Sequence, residues 1–558
     1  MTVATLVWAW ATAVCWAWGL LGEAALLRFA GRTDEDAPLP LHAVCWVGLA
    51  IVTTLAALLS LVRPVDGAAA LALSLAGLGG LAAAPALRRD GWVRVRDAAR
   101  ALDGPYAALA AVVLVAALAD GASPATNYDS GLYHVQAVRW IEAHPVVPGL
   151  GNLHFRLAMG STWFLPEALF DTGLVAAPSR HLLVGCAWTW TALAGVRALR
   201  ELAHGAASFA VVLRIAFLPL GLLLLRGWLS SPTPDVALAL LGWTTIALAF
   251  DRAARGADGA TDVRVLAIAL LAAFATAVKP SAAPLLLLPV VLAVAASRLQ
   301  PRIALGVLGI ALAVGVPQVA RNLILSGYPA FPVPQLPPLP VDWAIPRDEA
   351  VRQAGWIMSW ARAPRRAPQE VLAMPLREWI GPWLARRPAV DRVLLGAIPL
   401  LALAAVPTWR RPVAAPLVWA TLVLGTMLWF ALAPDPRFGW AFYPLLALGL
   451  EARVLGGVAA RLPRAATAQA LALGIGVLSL WPYAGRDALA TTASRAIAPA
   501  PYPERPLRTL GRGKRLLYAP ERGDQCWDAP LPCTPYPDRT IERRGRRLER
   551  GFRRAVAP

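Results

Sequence analysis

Residues 105–121 read PYAALAAVVLVAALADG, and residues 127–134, shortly after, read NYDSGLYH. The first stretch is apolar enough to cross the hydrocarbon of a bilayer as a helix. The second places an acid, two tyrosines and a histidine within a few positions. An apolar helix that runs into such a segment predicts a membrane span followed by a functional site at the membrane surface.

The whole chain shares the apolar character of this first stretch. Its 558 residues are 58% hydrophobic and only 16% charged, and the mean hydropathy is +0.54. This apolar excess is too large for a soluble core. Because apolar runs recur between short polar breaks, the sequence predicts an all-α integral membrane protein with about 14 transmembrane helices. The first run has no basic start, so it is predicted to be a retained helix rather than a signal peptide.

The basic residues predict the orientation of the chain, which carries a net charge of +19. Lysine and arginine concentrate in cytoplasmic loops, and alternating helices would place all the short basic loops inside. The polar segments then lie outside. The predicted segments are three N-terminal spans (1–103), a transmembrane core (104–325) with a first extracytoplasmic loop (122–180), a proline-rich interfacial segment outside (326–390), C-terminal spans (391–483) and an extracytoplasmic tail (484–558).

Cys526 and Cys533 lie in the polar, proline-bearing stretch DQCWDAPLPC. Their close spacing predicts a local disulfide in an oxidising compartment. The alternative is two free thiols in a cytoplasmic tail, which the terminal RRGRRLERGFRR would favour if it were taken alone. Long segments are exported largely regardless of their charge, so the orientation is taken from the short basic loops, and it places the tail outside.

Asp129 is the leading candidate for chemistry. Its carboxylate follows a span and has Tyr128, Tyr133 and His134 beside it in sequence. In that place it could accept a proton from a sugar hydroxyl as a general base, or bind Mg²⁺ or Mn²⁺ through oxygen. The alternative is a structural role, in which Asp129 caps the helix that begins at Ser130.

Four more charged residues lie at the predicted ends of later spans: Asp235, Lys279, Arg321 and Arg437. An acid in the first turn of a helix or a snorkelling lysine would explain Asp235 and Lys279 without any function. Taken together, three cations at one depth beside two acids could hold a phosphate while a base works next to it.

Several other functions find no support in the sequence. His134, His144 and His154 are regularly spaced but match no compact zinc pattern, so no zinc site is predicted. Nucleotide-binding fingerprints and nucleic-acid-binding motifs are also missing. The arginine excess is therefore interpreted as cytoplasmic anchors and a basic tail rather than as a surface for nucleic acid.

Longer stretches carry a resemblance. YDSGLYHVQAVRWIEAHPVVPGLGNLHFRL, RNLILSGYPAFP, APDPRFGWAF and DQCWDAPLPCTPY resemble an uncharacterised bacterial family of multi-spanning proteins with a domain of unknown function. More broadly, an acid after a span, a short amphipathic helix and an outside C-terminal portion resemble the GT-C superfamily of membrane glycosyltransferases. This chain differs in placing three additional spans ahead of the one that leads to its acid, and in following Asp129 with Ser130 rather than a second acid.

The GT-C resemblance implies transfer of a sugar from a polyprenyl-phosphate carrier to a cell-surface glycan, lipid or protein, on the extracytoplasmic face of the bacterial cytoplasmic membrane. Asp129 would be the general base, or the ligand of a divalent cation. Lys279, Arg321 and Arg437 would neutralise the phosphate leaving group. The remaining residues assigned to substrate binding are Tyr128, Tyr133, His134, Asn152, His154 and Asp235.

Two other functions stay open at this point. A transporter or flippase for a lipid-linked or anionic substrate would place broken helices and polar groups near mid-membrane, whereas the polar groups here lie at predicted span ends. A non-catalytic protein of envelope assembly would tolerate the loss of Asp129 and Arg437.

Overall fold

A computed structural model describes residues 3–31, 38–174, 181–255, 263–296, 300–407, 415–459, 461–484, 499–511, 513 and 516–555. These residues form a mostly helical protein with two small β-hairpins near the C-terminal end. The largest apolar core extends from the first helix through the packed helices to the two C-terminal hairpins. Residues 485–498 of the predicted tail and 175–180 of the predicted first loop lie outside the described residues.

The α-helices of the described chain follow one another with short connections in most places. They are α1 (Val3–Ala30), α2 (Leu41–Ser60), α3 (Gly67–Ala82), α4 (Pro85–Arg100), α5 (Gly104–Gly121), α6 (Val135–Ala143), α7 (Phe164–Leu169), α8 (Leu183–Ala203), α9 (Phe209–Leu220), α10 (Pro234–Ala254), α11 (Val263–Val278), α12 (Leu287–Ala296), α13 (Pro301–Ser326), α14 (Arg347–Arg362), α15 (Pro368–Ala373), α16 (Leu376–Ala385), α17 (Ala389–Ala405), α18 (Pro416–Leu432), α19 (Pro436–Gly439), α20 (Tyr443–Ala459) and α21 (Arg464–Leu480).

Several of these helices are long and apolar enough to cross a membrane, which indicates a multi-pass membrane protein. Among the described residues seven helices meet that standard, or eight if α3 and α4, bent by 95°, count as one span. The prediction of about 14 spans of about 20 residues is not confirmed. The difference arises because apolar segments such as Pro416–Leu432 form helices of only 10–17 residues.

The segment after α5 differs in detail from the single amphipathic helix expected there. Ser130–His134 form one turn of π-helix, and α6 continues from Val135 to Ala143. Turns of π-helix are rare and often mark functional sites. Asp129 precedes this turn in a helical conformation, and its side chain makes no capping hydrogen bond.

The two hairpins belong to the part of the chain from residue 499 to residue 555, which we name the C-terminal segment and which packs against α6. β1 (Leu507–Leu510) pairs with β2 (Leu517–Pro520), and β3 (Ile541–Arg543) pairs with β4 (Phe552–Arg554), both antiparallel.

Between the hairpins, a disulfide joins Cys526 to Cys533 and closes a loop that contains Trp527. The backbone N–H of Trp527 donates to the carbonyl of Gly131 at 3.0 Å. Gln136 of α6 donates to the Trp527 carbonyl, also at 3.0 Å. The C-terminal segment therefore covers the turn that follows Asp129.

Candidate functional site

Four of the charged residues predicted from the sequence meet in space. The Nη1 of Arg437 donates to the Oδ2 of Asp129 at 2.8 Å, across 308 residues of sequence. The Nε of the same guanidinium lies 3.7 Å from the Oδ2 of Asp235, whose other oxygen accepts a hydrogen bond from Lys279. Asp129 is only 8% exposed, so Arg437 joins two buried carboxylates.

A fifth charged residue, Asp435, completes this group, which we name the charge cluster (Asp129, Asp235, Lys279, Asp435 and Arg437). Asp435 caps the short helix α19 by accepting a hydrogen bond from the Arg437 N–H at 3.3 Å. Its carboxylate also lies 3.6 Å from the Nε of Arg437. Three carboxylates thus surround two cations, which gives the charge cluster a formal net charge of −3 + 2 = −1.

The aromatic ring of Phe438 supports both cations. The Nζ of Lys279 lies 3.5 Å from the ring centroid, and the Cζ of Arg437 lies 5.0 Å from it. Cations over an aromatic face are attracted by its quadrupole. Lys279 therefore points into the charge cluster instead of snorkelling away from it.

The structural alternatives considered for the two acids have different outcomes: Asp129 does not cap its helix, whereas Asp235 does lie in the first turn of α10. Asp129 makes no capping hydrogen bond. Helix α10 is capped by Thr233, whose hydroxyl accepts from the backbone N–H of Asp235 at 3.3 Å. The carboxylate of Asp129 therefore pairs with Arg437, and that of Asp235 pairs with Lys279 and Arg437 in addition to its place in the first turn.

The charges around Asp129 keep it ionised. Burial raises the pKa of a carboxyl, but Arg437, with further help from Arg156 and His134, outweighs burial and lowers the pKa of Asp129 to about 2. Burial also opposes the charge of Arg437, yet the carboxylates of Asp129 and Asp435 raise the pKa of this guanidinium. Because the two groups stabilise each other's charged form, this is an ion pair at any physiological pH.

The predicted tyrosines and histidines form an aromatic wall beside Asp129. The Tyr133 ring lies 4.4 Å from the ring of His134 and 6.5 Å from that of His154, measured between centroids. Burial lowers the pKa of His134 to about 4 and that of His154 to about 3, so both are neutral at pH 7. The Nδ1 of His134 has no hydrogen-bond partner among the described residues.

Tyr128, which precedes Asp129 in the chain, is 56% exposed. Its hydroxyl hydrogen-bonds to Asp524 of the C-terminal segment. The same carboxylate accepts from the hydroxyl of Tyr536 at 3.0 Å. The predicted site therefore borders on the C-terminal segment.

Asn152 makes its hydrogen bond in a different part of the structure. Its Nδ2 donates to the carbonyl of Trp343 at 2.8 Å, which joins the loop after α6 to the segment between α13 and α14. No hydrogen bond of Asn152 to the charge cluster is present in the part of the chain that the structure describes.

Arg321 also lies apart from the charge cluster. It is 2% exposed, donates to the hydroxyl of Ser60, and has no carboxylate within 4 Å among the described residues. With Arg156 it lines a cavity of about 30 Å³ whose walls are largely apolar. The Cζ of Arg156 lies 5.8 Å from the Tyr133 ring, and the charge of Arg156 also acts on Asp129.

Two groups of side chains bear on metal binding. In the charge cluster the carboxylates already face Arg437 and Lys279 within 4 Å, and Mg²⁺ or Mn²⁺ would bring its own charge next to those cations. The charge cluster therefore does not fit a divalent cation. Elsewhere, Glu142, Asp171 and His181 each place a ligand atom within 4.8 Å of the others and could hold a metal ion, a group that the sequence analysis did not identify.

Sequence reasoning missed three residues of the site. Asp435 had a visible signal, because an acid followed by a proline is the pattern of a helix start, two residues before a cation already selected. Arg156 and Asp524 had none, since an arginine in a polar loop and an acid in a charged tail are ordinary there.

Comparison with known proteins gives a family but no precedent for its chemistry. A domain of unknown function, DUF8201, matches residues 1–444. The chain therefore belongs to the DUF8201 family. No curated protein and no solved structure matches it.

Proposed function

We propose that this DUF8201 protein is a membrane glycosyltransferase that moves a sugar from a polyprenyl-phosphate-linked donor to a cell-envelope acceptor. The active face is extracytoplasmic, in the cytoplasmic membrane of a bacterium. The observation that carries the proposal is the charge cluster, in which Arg437 pairs with Asp129 at 2.8 Å beside the bond between Lys279 and Asp235. Buried ionisable groups at the ends of apolar helices are costly and are therefore retained for function.

The proposed reaction uses the cations and acids of the charge cluster separately. The acceptor hydroxyl oxygen attacks the anomeric carbon of the sugar, and its proton passes to the carboxylate of Asp129. The bond from the anomeric carbon to the phosphate oxygen breaks, and the polyprenyl phosphate leaves with both electrons of that bond. Arg437 and Lys279 neutralise the negative charge that develops on this phosphate.

The ion pair in the charge cluster sets the order of the steps: the donor binds before Asp129 becomes a stronger base. With a pKa of about 2, Asp129 is a weak base while Arg437 holds it. A donor phosphate competes with Asp129 for the guanidinium, because a phosphate accepts the same two-pronged hydrogen bonds as a carboxylate. When Arg437 turns to the phosphate, burial again raises the pKa of Asp129, and the carboxylate becomes a stronger base once the donor is bound.

Arg321 does not take part in the proposed reaction, because the cavity that it lines, about 30 Å³, is the size of one water molecule and is too small for a phosphoryl group. A buried guanidinium without a carboxylate is costly, and the cavity it shares with Arg156 has no acidic side chain among its described lining residues. The hydrogen bond of Arg321 to the hydroxyl of Ser60 is consistent with a structural role.

The experiment is transfer of radiolabelled sugar by the purified protein in lipid, using a panel of polyprenyl-phosphate sugars. Asp129→Asn keeps the shape of the side chain and removes its basicity, and we expect it to lower the transfer rate by about 10²–10⁴-fold. The matched control is Asp120→Asn, because Asp120 also pairs with an arginine, Arg226, at 2.9 Å. Asp120 lies outside the charge cluster, so this control is expected to retain transfer.

The outcomes separate the possible errors. Equal rates for the wild type and Asp129→Asn would remove Asp129 from the mechanism. Equal losses in Asp129→Asn and Asp120→Asn would mean that breaking any buried ion pair disables the protein. Absence of transfer from every donor would overturn the glycosyltransferase itself.

One observation favours the transporter as a second candidate. The helix α11 ends at Val278, Lys279 adopts an extended conformation, and a 3₁₀ segment (Pro280–Leu286) leads into α12. A helix broken at a charged residue is typical of substrate sites in secondary transporters. Uptake of the labelled donor into sealed proteoliposomes, without transfer of its sugar, would favour this function over the enzyme.

A further inference from the structure

The C-terminal hairpin β3–β4 is fixed firmly to the loop after α6. The side chain of Phe552 is fully buried, and its ring centroid lies 5.8 Å from that of Trp140 in an edge-to-face arrangement. Its backbone N–H donates to the carbonyl of Pro148 at 2.9 Å. Gly551 has a φ of +85°, and an added Cβ would lie 1.9 Å from the same carbonyl oxygen, so only glycine permits this close approach. The side chains of this hairpin are therefore held in a defined position relative to the loop after α6.

The hairpin carries a concentration of arginines, which we name the arginine surface (Arg544, Arg546, Arg547, Arg550 and Arg553). These side chains surround a concave space of about 660 Å³ together with Gly545 and Asp342. Five cations and one acid give this lining a formal charge of +5 − 1 = +4. The concave space is comparable to the pockets of about 300–1,000 Å³ that bind small ligands.

Only part of this charge is neutralised within the protein. Asp342 pairs with Arg544 at 2.8 Å and lies 3.8 Å from Arg553. Glu542 pairs with Arg553 at 2.8 Å. The other three arginines are exposed, and no carboxylate lies within 4 Å of them in the described part of the chain; they are Arg546, Arg547 and Arg550. They repel one another unless an anion lies between them.

We propose that the arginine surface binds a polyanionic glycan, a sugar chain that carries repeated carboxylate or phosphate groups. Guanidinium groups bind both of these anions through paired hydrogen bonds. Several guanidiniums around one concave space suit a ligand with several negative groups better than a single ion. This binding goes beyond the proposed sugar transfer and does not require it.

Two other polyanions fit this surface less well. Single-stranded nucleic acids bind through aromatic rings on which their bases stack. None of the described residues that line the space is aromatic, and the nearby ring of Trp343 is covered by Arg544, whose Cζ lies 4.6 Å from its centroid. A membrane surface presents a broad plane of headgroups, whereas the arginine surface is concave.

The test measures binding of a fluorescein-labelled polygalacturonate oligomer to the full-length protein in nanodiscs of zwitterionic lipid, over a series of salt concentrations. The variant is Arg546→Gln/Arg547→Gln/Arg550→Gln. The matched control is Arg88→Gln/Arg89→Gln/Arg96→Gln, which removes three exposed arginines from α4 and so lowers the net charge equally. Thermal unfolding of both proteins confirms that the substitutions leave the fold intact.

We expect the hairpin variant to weaken binding by about tenfold or more, and to lower the slope of log K against log salt concentration by about three, one for each lost contact. The α4 control should bind like the wild type. Equal weakening in both variants, or no binding by the wild type, would overturn the proposal.

Binding measurements with other polymers and with vesicles decide the class of ligand. Uncharged dextran should not bind. Single-stranded DNA and vesicles with anionic lipid should bind more weakly than the polygalacturonate oligomer. If either binds more tightly and loses affinity only in the hairpin variant, the ligand is that polyanion and not a glycan.

Discussion

The substitution Arg437→Gln tests the physical basis of the charge cluster. Arg437 is the partner of Asp129 at 2.8 Å and lies 3.7 Å from Asp235. The pKa of Asp129 lies at about 2 instead of 3.8, and each unit of pKa corresponds to about 1.4 kcal/mol, so the surroundings favour its ionised form by about 2–3 kcal/mol. Arg437→Gln removes that contribution and leaves buried carboxylates without their cation, and we expect it to lower the free energy of unfolding by about 3–5 kcal/mol.

The assay is unfolding of the purified protein in mixed micelles by increasing SDS, followed by tryptophan fluorescence, for both single variants and for Asp129→Asn/Arg437→Gln. Because the double variant removes the uncompensated charge of Asp129, it should be more stable than Arg437→Gln alone by about 1–2 kcal/mol. The same cycle on Asp120 and Arg226, whose pair at 2.9 Å lies elsewhere, provides the control. Strictly additive effects of the two substitutions in the charge cluster would refute the pairing.

The pH dependence gives an independent check of the same pair. Since the folded protein lowers the pKa of Asp129, the stabilisation is fully present above the unfolded pKa, near 4, and is lost as the pH falls through about 2. The wild type should therefore lose stability relative to Asp129→Asn between about pH 4 and pH 2. Parallel stability curves for the two proteins over that range would contradict this explanation.

Three further predictions concern other parts of the structure. Burial raises the pKa of Glu167 to about 8, so the folded protein holds a proton on Glu167 that the unfolded protein has lost, and stability falls as the pH rises from about 4.5 to about 8. Glu167→Gln should remove this decline from thermal unfolding curves. If the decline persists in the variant, another group causes it. Cys526→Ser/Cys533→Ser opens a loop with a sequence separation of 7 and should lower the free energy of unfolding in SDS by about 2–3 kcal/mol. Alkylation of the wild type without prior reduction should add no mass at either of these cysteines. Gly131→Ala would place its Cβ 2.4 Å from the Trp527 ring and should make the C-terminal segment more sensitive to limited proteolysis; a cleavage pattern like that of the wild type would show that this contact is not tight.

The membrane character of the chain could be predicted from sequence, whereas the number of spans could not. Hydropathy identifies apolar stretches, and that signal is strong in runs such as residues 105–121. It does not tell whether a stretch becomes one long helix, a short one such as Pro416–Leu432, or a pair bent by 95° such as α3 and α4. Those outcomes depend on prolines and on packing against neighbouring helices, which composition does not record.

The charge cluster was partly visible in sequence for a different reason. A charged residue at the end of an apolar run is conspicuous wherever it occurs, so Asp129, Asp235, Lys279 and Arg437 could each be identified without knowing which helices are neighbours. Their pairing could not be predicted, because Asp129 and Arg437 are 308 residues apart. Arg321 shows the limit of this reasoning, since it ends a span in the same way and yet faces a separate cavity.

The contact between the C-terminal segment and the turn after Asp129 has a consequence for biosynthesis. Gly131, Gln136 and Tyr128 emerge from the ribosome early, but their partners Trp527 and Asp524 are made about 390 residues later. At typical translation rates of about 5–20 residues per second, the nascent chain spends roughly 20–80 seconds without them. During that interval the early helices must hold their polar turn in place unaided, and the surroundings of Asp129 are completed only by one of the last parts of the protein to arrive.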